Sequence, residues 1–85
     1  MQVIFIKKFQ KEYRKLSEKA KQQTDKRIEL FIKNPKHRTL NAHPLKGDKQ
    51  QFWSINISGD LRALYEQHDS VFIFHRIGSH SELYE

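Results

Sequence analysis

The stretch that decides the fold is QFWSINISGDLRALYEQHDSVFIFHRI, residues 51–77. Its first seven residues alternate in polarity, which places Trp53 and two isoleucines on one face of a strand, and we assign Trp53 to the core. Residues 58–59 (Ser-Gly) are typical of a tight turn, and residues 68–70 (His-Asp-Ser) mark a second turn. The pattern predicts a three-stranded antiparallel meander, with strands at residues 51–57, 61–67 and 71–77.

Upstream of the meander, the period changes to that of a helix. Residues 2–6, QVIFI, are predicted to form a short strand, and residues 9–16 have helical spacing. Ser17 has a side chain suited to the N-cap of a second helix. That helix is predicted to end at Asn34-Pro35, because the residue before a proline avoids helical geometry. Its apolar face comprises Ala20, Thr24, Ile28, Phe31 and Ile32.

A strand, two helices and a meander predict an α+β fold. The N-terminal strand and the two helices are expected to pack on a curved antiparallel sheet. Residues 34–50 form the polar loop that joins the helices to the meander. We expect the helices to cover one face of the sheet and to leave the other face partly open. The polar residues expected on that open face are Ser54, Asn56, Arg62 and Arg76.

Size and composition narrow the function. The 85 residues are enough for one domain, residues 1–85, with one modest core. Sixteen basic residues against ten acidic ones give a net charge of +6, which favours a polyanionic partner such as nucleic acid. The absence of cysteine excludes a disulfide framework and a thiolate metal site. No long apolar stretch suggests a membrane span or a signal peptide, so we expect a cytoplasmic protein.

The second half of the chain holds side chains that suit RNA cleavage without a metal. Such cleavage needs a base for the ribose 2′-OH, cationic donors for the phosphate and an acid for the leaving 5′-oxygen. Histidine suits both proton transfers because its unperturbed pKa is close to neutrality. The candidates for catalysis are His43, Asp60, Arg62, Arg76, His80 and Tyr84. The candidates for RNA binding are Lys46, Lys49, Ser54 and Asn56.

Each candidate also has a purely structural interpretation. Arg62 and Arg76 are suited to be cross-strand partners of Glu66 or Asp60, and Tyr84 to cover the sheet as an apolar lid. We expect the remaining three histidines to be structural or exposed: His37, His68 and His75. No spacing of histidine with carboxylates indicates a metal site, and no phosphate-binding loop is present.

The order of three motifs resembles the RelE/ParE superfamily of bacterial type II toxins. The motifs are HPLKG at residues 43–47, FWSINISGDLRALY at 52–65 and FHRIGSHSELY at 74–84. The resemblance covers nearly the whole chain and is strongest to the YafQ-like branch, with some YoeB-like features. It implies a RelE-like fold and a ribosome-dependent mRNA interferase with no metal or organic cofactor. It also implies a cognate antitoxin, the ribosome and mRNA as partners, and contact with operator DNA only through the antitoxin.

The resemblance assigns roles by position. His43 and His80 match catalytic histidines, and Asp60 matches a catalytic aspartate. Among the remaining candidates, Arg62 and Arg76 match arginines of the superfamily, and Tyr84 matches its C-terminal aromatic residue. Asn56 departs from the YafQ-like branch, which has a histidine there; an amide cannot shuttle protons at neutral pH.

Two alternatives stay open at this stage. One is a ParE-like toxin that poisons DNA gyrase and has no nuclease activity, since one fold supports several functions. The other is an inactive relative that only binds an antitoxin, which Asn56 favours.

Overall fold

The computed structural model describes residues 1–84 as one five-stranded sheet with helices packed on it. The strands are β1 (Gln2–Phe5), β2 (His43–Pro44), β3 (Trp53–Ser58), β4 (Leu61–His68) and β5 (Val71–Ser79). The helices are α1 (Lys7–Arg14), α2 (Glu18–Lys33) and α3 (His80–Tyr84). Two 3₁₀ turns, at Arg38–Leu40 and Gly47–Lys49, lie in the long loop. The α+β prediction is confirmed.

The sheet is mixed, whereas an antiparallel sheet was predicted. Its strand order is β1-β5-β4-β3-β2, and β3, β4 and β5 form the predicted antiparallel meander. β1 pairs in parallel with β5, because α1 and α2 together provide the long crossover that a parallel pair needs. β2 lies at the opposite edge and pairs with the start of β3. β2 was not predicted, because two residues are too few to show a period.

The core lies between the helices and one face of the sheet. Phe31 of α2 is fully buried, and its ring centroid is 5.0–5.2 Å from those of Tyr65, Phe72 and Phe74. Such edge-to-face contacts add to the free energy gained by burying the rings themselves. The predicted helix face is therefore correct at Phe31, whereas Ile32 beside it is half exposed.

Trp53 was predicted to lie in the core, but 36% of its surface is exposed. It is the first residue of β3, lies opposite Pro44 of the edge strand β2, and stacks on Tyr65 at 6.4 Å. The alternation of apolar and polar residues along β3 assigned Trp53 to the correct face of the sheet. It did not show that the core reaches Ile55 and does not extend to Trp53.

The free edge of β5 is covered by α1. β1 ends at Phe5, which pairs with Phe74, so β5 continues toward Ser79 without a strand on that side. The Glu12 carboxylate accepts a hydrogen bond from the Ile77 N–H at 3.1 Å and bonds the Arg76 guanidinium at 2.8–3.1 Å. Glu12 thus satisfies an edge donor that would otherwise lack a partner.

A capping box begins α3. The Ser79 hydroxyl accepts from the Glu82 N–H, and the Glu82 carboxylate accepts from the Ser79 N–H at 2.8 Å. The bond from the Ser79 backbone, with that residue's side chain second, lowers the pKa of Glu82. Gly78 leaves room for this arrangement, since a Cβ there would lie 3.2 Å from the Glu82 carboxylate.

We predict that Glu12→Gln destabilises the fold by about 1–3 kcal/mol, the cost of leaving a half-buried charged group poorly paired. The measurement is the urea midpoint of unfolding. Glu29→Gln is the matched control, because Glu29 forms only an exposed ion pair with Lys33 at 3.9 Å. Its effect should stay within about 0.5 kcal/mol. Equal effects of the two substitutions would contradict a stabilising role for the pair of Glu12 with Arg76.

We predict that the capping box makes α3 sensitive to acid. Because folding lowers the pKa of Glu82, its stabilising effect is present above the ordinary glutamate pKa and is lost as pH falls through the lowered value. The protection of the amides of residues 80–84, measured as their exchange relative to the intrinsic rate at each pH, should therefore fall at acidic pH. Glu82→Gln keeps an oxygen acceptor but does not titrate, so its protection should show a weaker acid dependence. The same dependence in both proteins would rule out this origin.

Candidate active site

Most of the candidate residues meet in one cavity, which we call the cationic cavity. It lies where the loop after α2, β3, β4 and α3 come together, and its volume is about 710 Å³. Its lining residues are Asn41, His43, Leu45, Lys46, Asp48, Lys49, Asn56, Arg62, His80 and Tyr84. The lining holds three basic side chains and one carboxylate, apart from its two histidines, so its charge suits a phosphate.

The sheet positions two of these residues side by side. Asn56 of β3 pairs with Arg62 of β4, and alternation directs both away from the core, to which Ile55 and Ile57 contribute. Nη1 of Arg62 donates to the carbonyl oxygens of Gly59 and Leu61 at 2.7 and 3.1 Å. A guanidinium has five N–H donors, so those on Nη2 and Nε remain able to donate hydrogen bonds to an anion.

His43 has a defined orientation in β2. Its Nδ1 lies 2.8 Å from the carbonyl oxygen of Asn41. A carbonyl only accepts, so Nδ1 carries the proton and Nε2 of the neutral ring keeps its lone pair. Asn41 has a φ of 47°, a left-handed conformation that asparagine tolerates better than most residues. The side chain of His43 is exposed and carries its free nitrogen as a proton acceptor.

His80 and Tyr84 lie one helical turn apart on α3. Their ring centroids are 4.3 Å apart with the planes at 76°, an edge-to-face contact. The Tyr84 hydroxyl donates to the Ser54 hydroxyl at 2.8 Å, and the backbone N–H of His80 donates to the Asp60 carbonyl at 2.9 Å. α3 thus brings an exposed imidazole to a cavity whose other histidine lies 37 positions earlier in the chain.

Asn56 contributes an unusual polar group. Its Oδ1 is buried and has no hydrogen-bond partner among residues 1–84. A buried acceptor without a donor costs about 1–3 kcal/mol, so such groups are few in native proteins; Nε2 of His75, outside the cavity, is the other buried polar side-chain atom of residues 1–84 without a hydrogen-bond partner. Asn56, which stands where the YafQ-like branch has a histidine, thus carries an acceptor without a donor.

Three candidates do not line the cationic cavity. Arg76 is bound to Glu12 of α1, at the edge of the sheet, so the structure does not place it with the other cations. Ser54 was expected to be accessible to RNA. It is instead fully buried, and its hydroxyl accepts a hydrogen bond from Tyr84. Asp60 is exposed in the turn between β3 and β4 and contacts α3 through its carbonyl.

Two further findings concern residues outside the predicted set. The cavity is also lined by Asn41, Leu45 and Asp48, which were not predicted, since a polar loop carries no period that would show which side chains face a cavity. The three histidines predicted to be structural or exposed do not line the cationic cavity. His68 forms a hydrogen bond with the Glu66 carboxylate at 3.3 Å, Nε2 of His75 lies 2.6 Å from the same carboxylate, and Nδ1 of His37 accepts from the Thr39 N–H.

A second cavity of about 780 Å³ lies between α1 and α2. Half of its ten lining residues are aromatic or aliphatic, and none is a histidine. Tyr13 donates to Asp25 there at 2.7 Å, and this bond raises the pKa of Tyr13 to about 12. The acid–base groups thus favour the cationic cavity as the active site, although it is slightly smaller.

Residues 1–84 contain no group of three or more histidine, aspartate or glutamate side chains arranged to hold a metal ion. In the same part of the chain, no helix has the length and apolar character needed to cross a membrane.

Comparison with solved structures shows the fold. YafQ from E. coli strain BL21(DE3) superposes with a TM-score of 0.84 at 18% identity, covering 99% of this chain and 98% of that one. The RelB–RelE antitoxin–toxin complex from Methanococcus jannaschii matches with a TM-score of 0.77 at 19% identity, covering 96% and 95%. A copper-bound mutant toxin from Helicobacter pylori matches with a TM-score of 0.73 at 27% identity, covering 99% of both chains. The predicted RelE-like fold is confirmed.

The family follows from the sequence as a whole. No curated protein sequence matches the chain. The family model for the bacterial toxin of the type II toxin–antitoxin system, YafQ, matches residues 1–85. The chain therefore belongs to the YafQ family of bacterial type II toxins.

Proposed function

We propose that this toxin is a metal-independent endoribonuclease that cuts mRNA on the ribosome. The observation that carries the proposal is the meeting of His43, His80 and Arg62 in the cationic cavity. Two imidazoles provide an acid and a base, and the guanidinium provides donors for a phosphate. The family match supports a toxin, and the geometry supports a chemistry by which it would act.

The proposed reaction is an in-line displacement at phosphorus. Nε2 of neutral His43 takes the proton from the ribose 2′-OH, and the 2′-oxygen forms a bond to the adjacent phosphorus. The P–O5′ bond breaks, and protonated His80 gives its proton to the 5′-oxygen. The products are a 2′,3′-cyclic phosphate and a 5′-hydroxyl. Solvent then returns the two histidines to their starting protonation states.

The cationic side chains would act on the phosphate in two ways. Arg62 is fixed through Nη1 and would offer its remaining donors to the nonbridging phosphate oxygens in the transition state, while the exposed Lys46 would attract the RNA backbone and contribute to substrate binding. Donors that are already oriented need little reorganisation during the reaction, which makes them effective. The face of Tyr84 is suited to orient an unstacked base beside His80.

The partners proposed are the ribosome with its mRNA, and an antitoxin. A net charge of +6 favours association with ribosomal RNA and with an acidic protein chain. The E. coli DinJ–YafQ and the M. jannaschii RelB–RelE structures are toxin–antitoxin complexes with the same fold as this chain. We propose a cognate antitoxin here too, with operator DNA contacted only through it.

We predict that His80→Ala and Arg62→Ala each lower the rate of mRNA cleavage by about 10²–10⁴, because each removes a group that acts in the transition state. The measurement is in-vitro translation with primer extension, with folding checked by circular dichroism. His68→Ala is the matched histidine control, since His68 lies outside the cationic cavity, and should cleave normally.

The same assay separates the alternatives. Cuts in phase with the codons support the nuclease. Intact mRNA together with inhibited supercoiling by gyrase would identify a ParE-like toxin. Intact mRNA and normal growth on induction would identify an inactive relative.

We predict that coexpression with the proposed cognate antitoxin, which we expect to be a small acidic protein, yields a stable complex. Its dissociation constant should rise with salt, because screening weakens attraction to a +6 protein. The measurement is copurification followed by calorimetry at two ionic strengths. Recovery of the toxin alone under these conditions would contradict the proposed partner.

A further inference from the structure

We infer that Ser54 and Lys49 are positioning residues, which hold the end of α3 and so fix His80 and Tyr84 at the cationic cavity. This inference rests on the proposed nuclease function. It replaces the expectation that both residues contact RNA directly. Neither is in the proposed acid–base pair, and each bonds one of the last two residues described in the chain.

α3 depends on tertiary contacts for its place. It has only five residues, far fewer than a helix needs to be stable alone in water. The capping box and the bond from His80 to the Asp60 carbonyl hold its beginning. Leu83 is fully buried and anchors its middle. These contacts leave the last turn, which includes Tyr84, to be held by other groups.

Ser54 holds the side chain of Tyr84. Ser54 has no exposed surface, lies within β3 and accepts from the Tyr84 hydroxyl at 2.8 Å. A buried hydroxyl on a paired strand is a fixed point, because the strand cannot move without breaking its ladder. Tyr84 in turn contacts the ring of His80, so the bond to Ser54 restricts the directions that the imidazole can adopt.

Lys49 holds the backbone of the same turn. Its Nζ donates to the carbonyl oxygen of Leu83. The last carbonyls of a helix lack partners within the helix, and a cation there is favourable. Lys49 is half-buried, whereas Lys46 in the same loop is exposed. The two lysines therefore have different roles: Lys49 binds the Leu83 carbonyl of α3, and Lys46 remains available to bind a phosphate.

The kinetic test compares Ser54→Ala, Tyr84→Phe and the double variant on ribosome-bound mRNA. Each single substitution should lower kcat about tenfold or more, with KM changed less than about threefold, because misplacement of an acid slows the chemical step rather than binding. The double variant should be no slower than the slower single variant, since the two hydroxyls act on one another. A rise in KM with unchanged kcat for Ser54→Ala would show an RNA contact and overturn the inference.

The lysines provide a matched pair. Lys49→Met should lower kcat, and Lys49→Arg should restore at least part of it, because arginine can still donate to the Leu83 carbonyl. Lys46→Met should instead raise KM. The inference fails if Lys49→Met and Lys46→Met have the same kinetic profile.

A structural readout keeps the inference separate from the proposed function. Amide exchange of residues 81–84 should accelerate about tenfold in Ser54→Ala and in Lys49→Met, with exchange in β4 unchanged. This test does not require catalysis. If the wild-type protein cuts no RNA but exchange accelerates, the proposed function fails and the positioning role stands. Unchanged exchange in both variants overturns the positioning role.

Discussion

The register between β3 and β4 is the constraint on which both the core and the cationic cavity depend. Ile55 lies opposite Ala63, and Asn56 lies opposite Arg62. The first pair is fully buried beneath the helices, and the second lines the cavity on the other face. A slip of one residue would exchange the two faces, placing an amide and a guanidinium in the core. The burial energy that stabilises the fold therefore also holds the cavity side chains together.

How far the sequence predicts this structure depends on whether a feature repeats along the chain. α2 and the meander were predicted because their apolar periods extend over many residues. β2 was missed because it has two residues, and Trp53 was misassigned because a period gives the face but not the limits of the core. The bulge between Leu64 and Tyr65 adds one residue to β5, at His75, and so changes the alternation just before Arg76.

The candidate site was less predictable, because its members are fixed by contacts between distant parts of the chain. Arg76 was expected with the other cations, but its partner Glu12 lies 64 residues earlier. Ser54 was expected on an open face, but Tyr84, 30 residues later, covers its hydroxyl. Sequence spacing identified chemically suitable residue types, and it could not show which of them bind the protein itself. In the structure, some polar residues near the cavity bond other protein groups and hold its walls in place, whereas others line the cavity.

Asn56 illustrates how the chemistry limits the number of groups needed. In the proposed reaction one proton leaves the 2′-oxygen and one reaches the 5′-oxygen, so two proton carriers balance the equation. His43 has a free Nε2 that suits the first transfer, and His80 is held on α3 for the second. A third histidine at residue 56 would add no step to this balance. The asparagine instead places an amide beside Arg62, where it can form hydrogen bonds but cannot carry a proton at neutral pH.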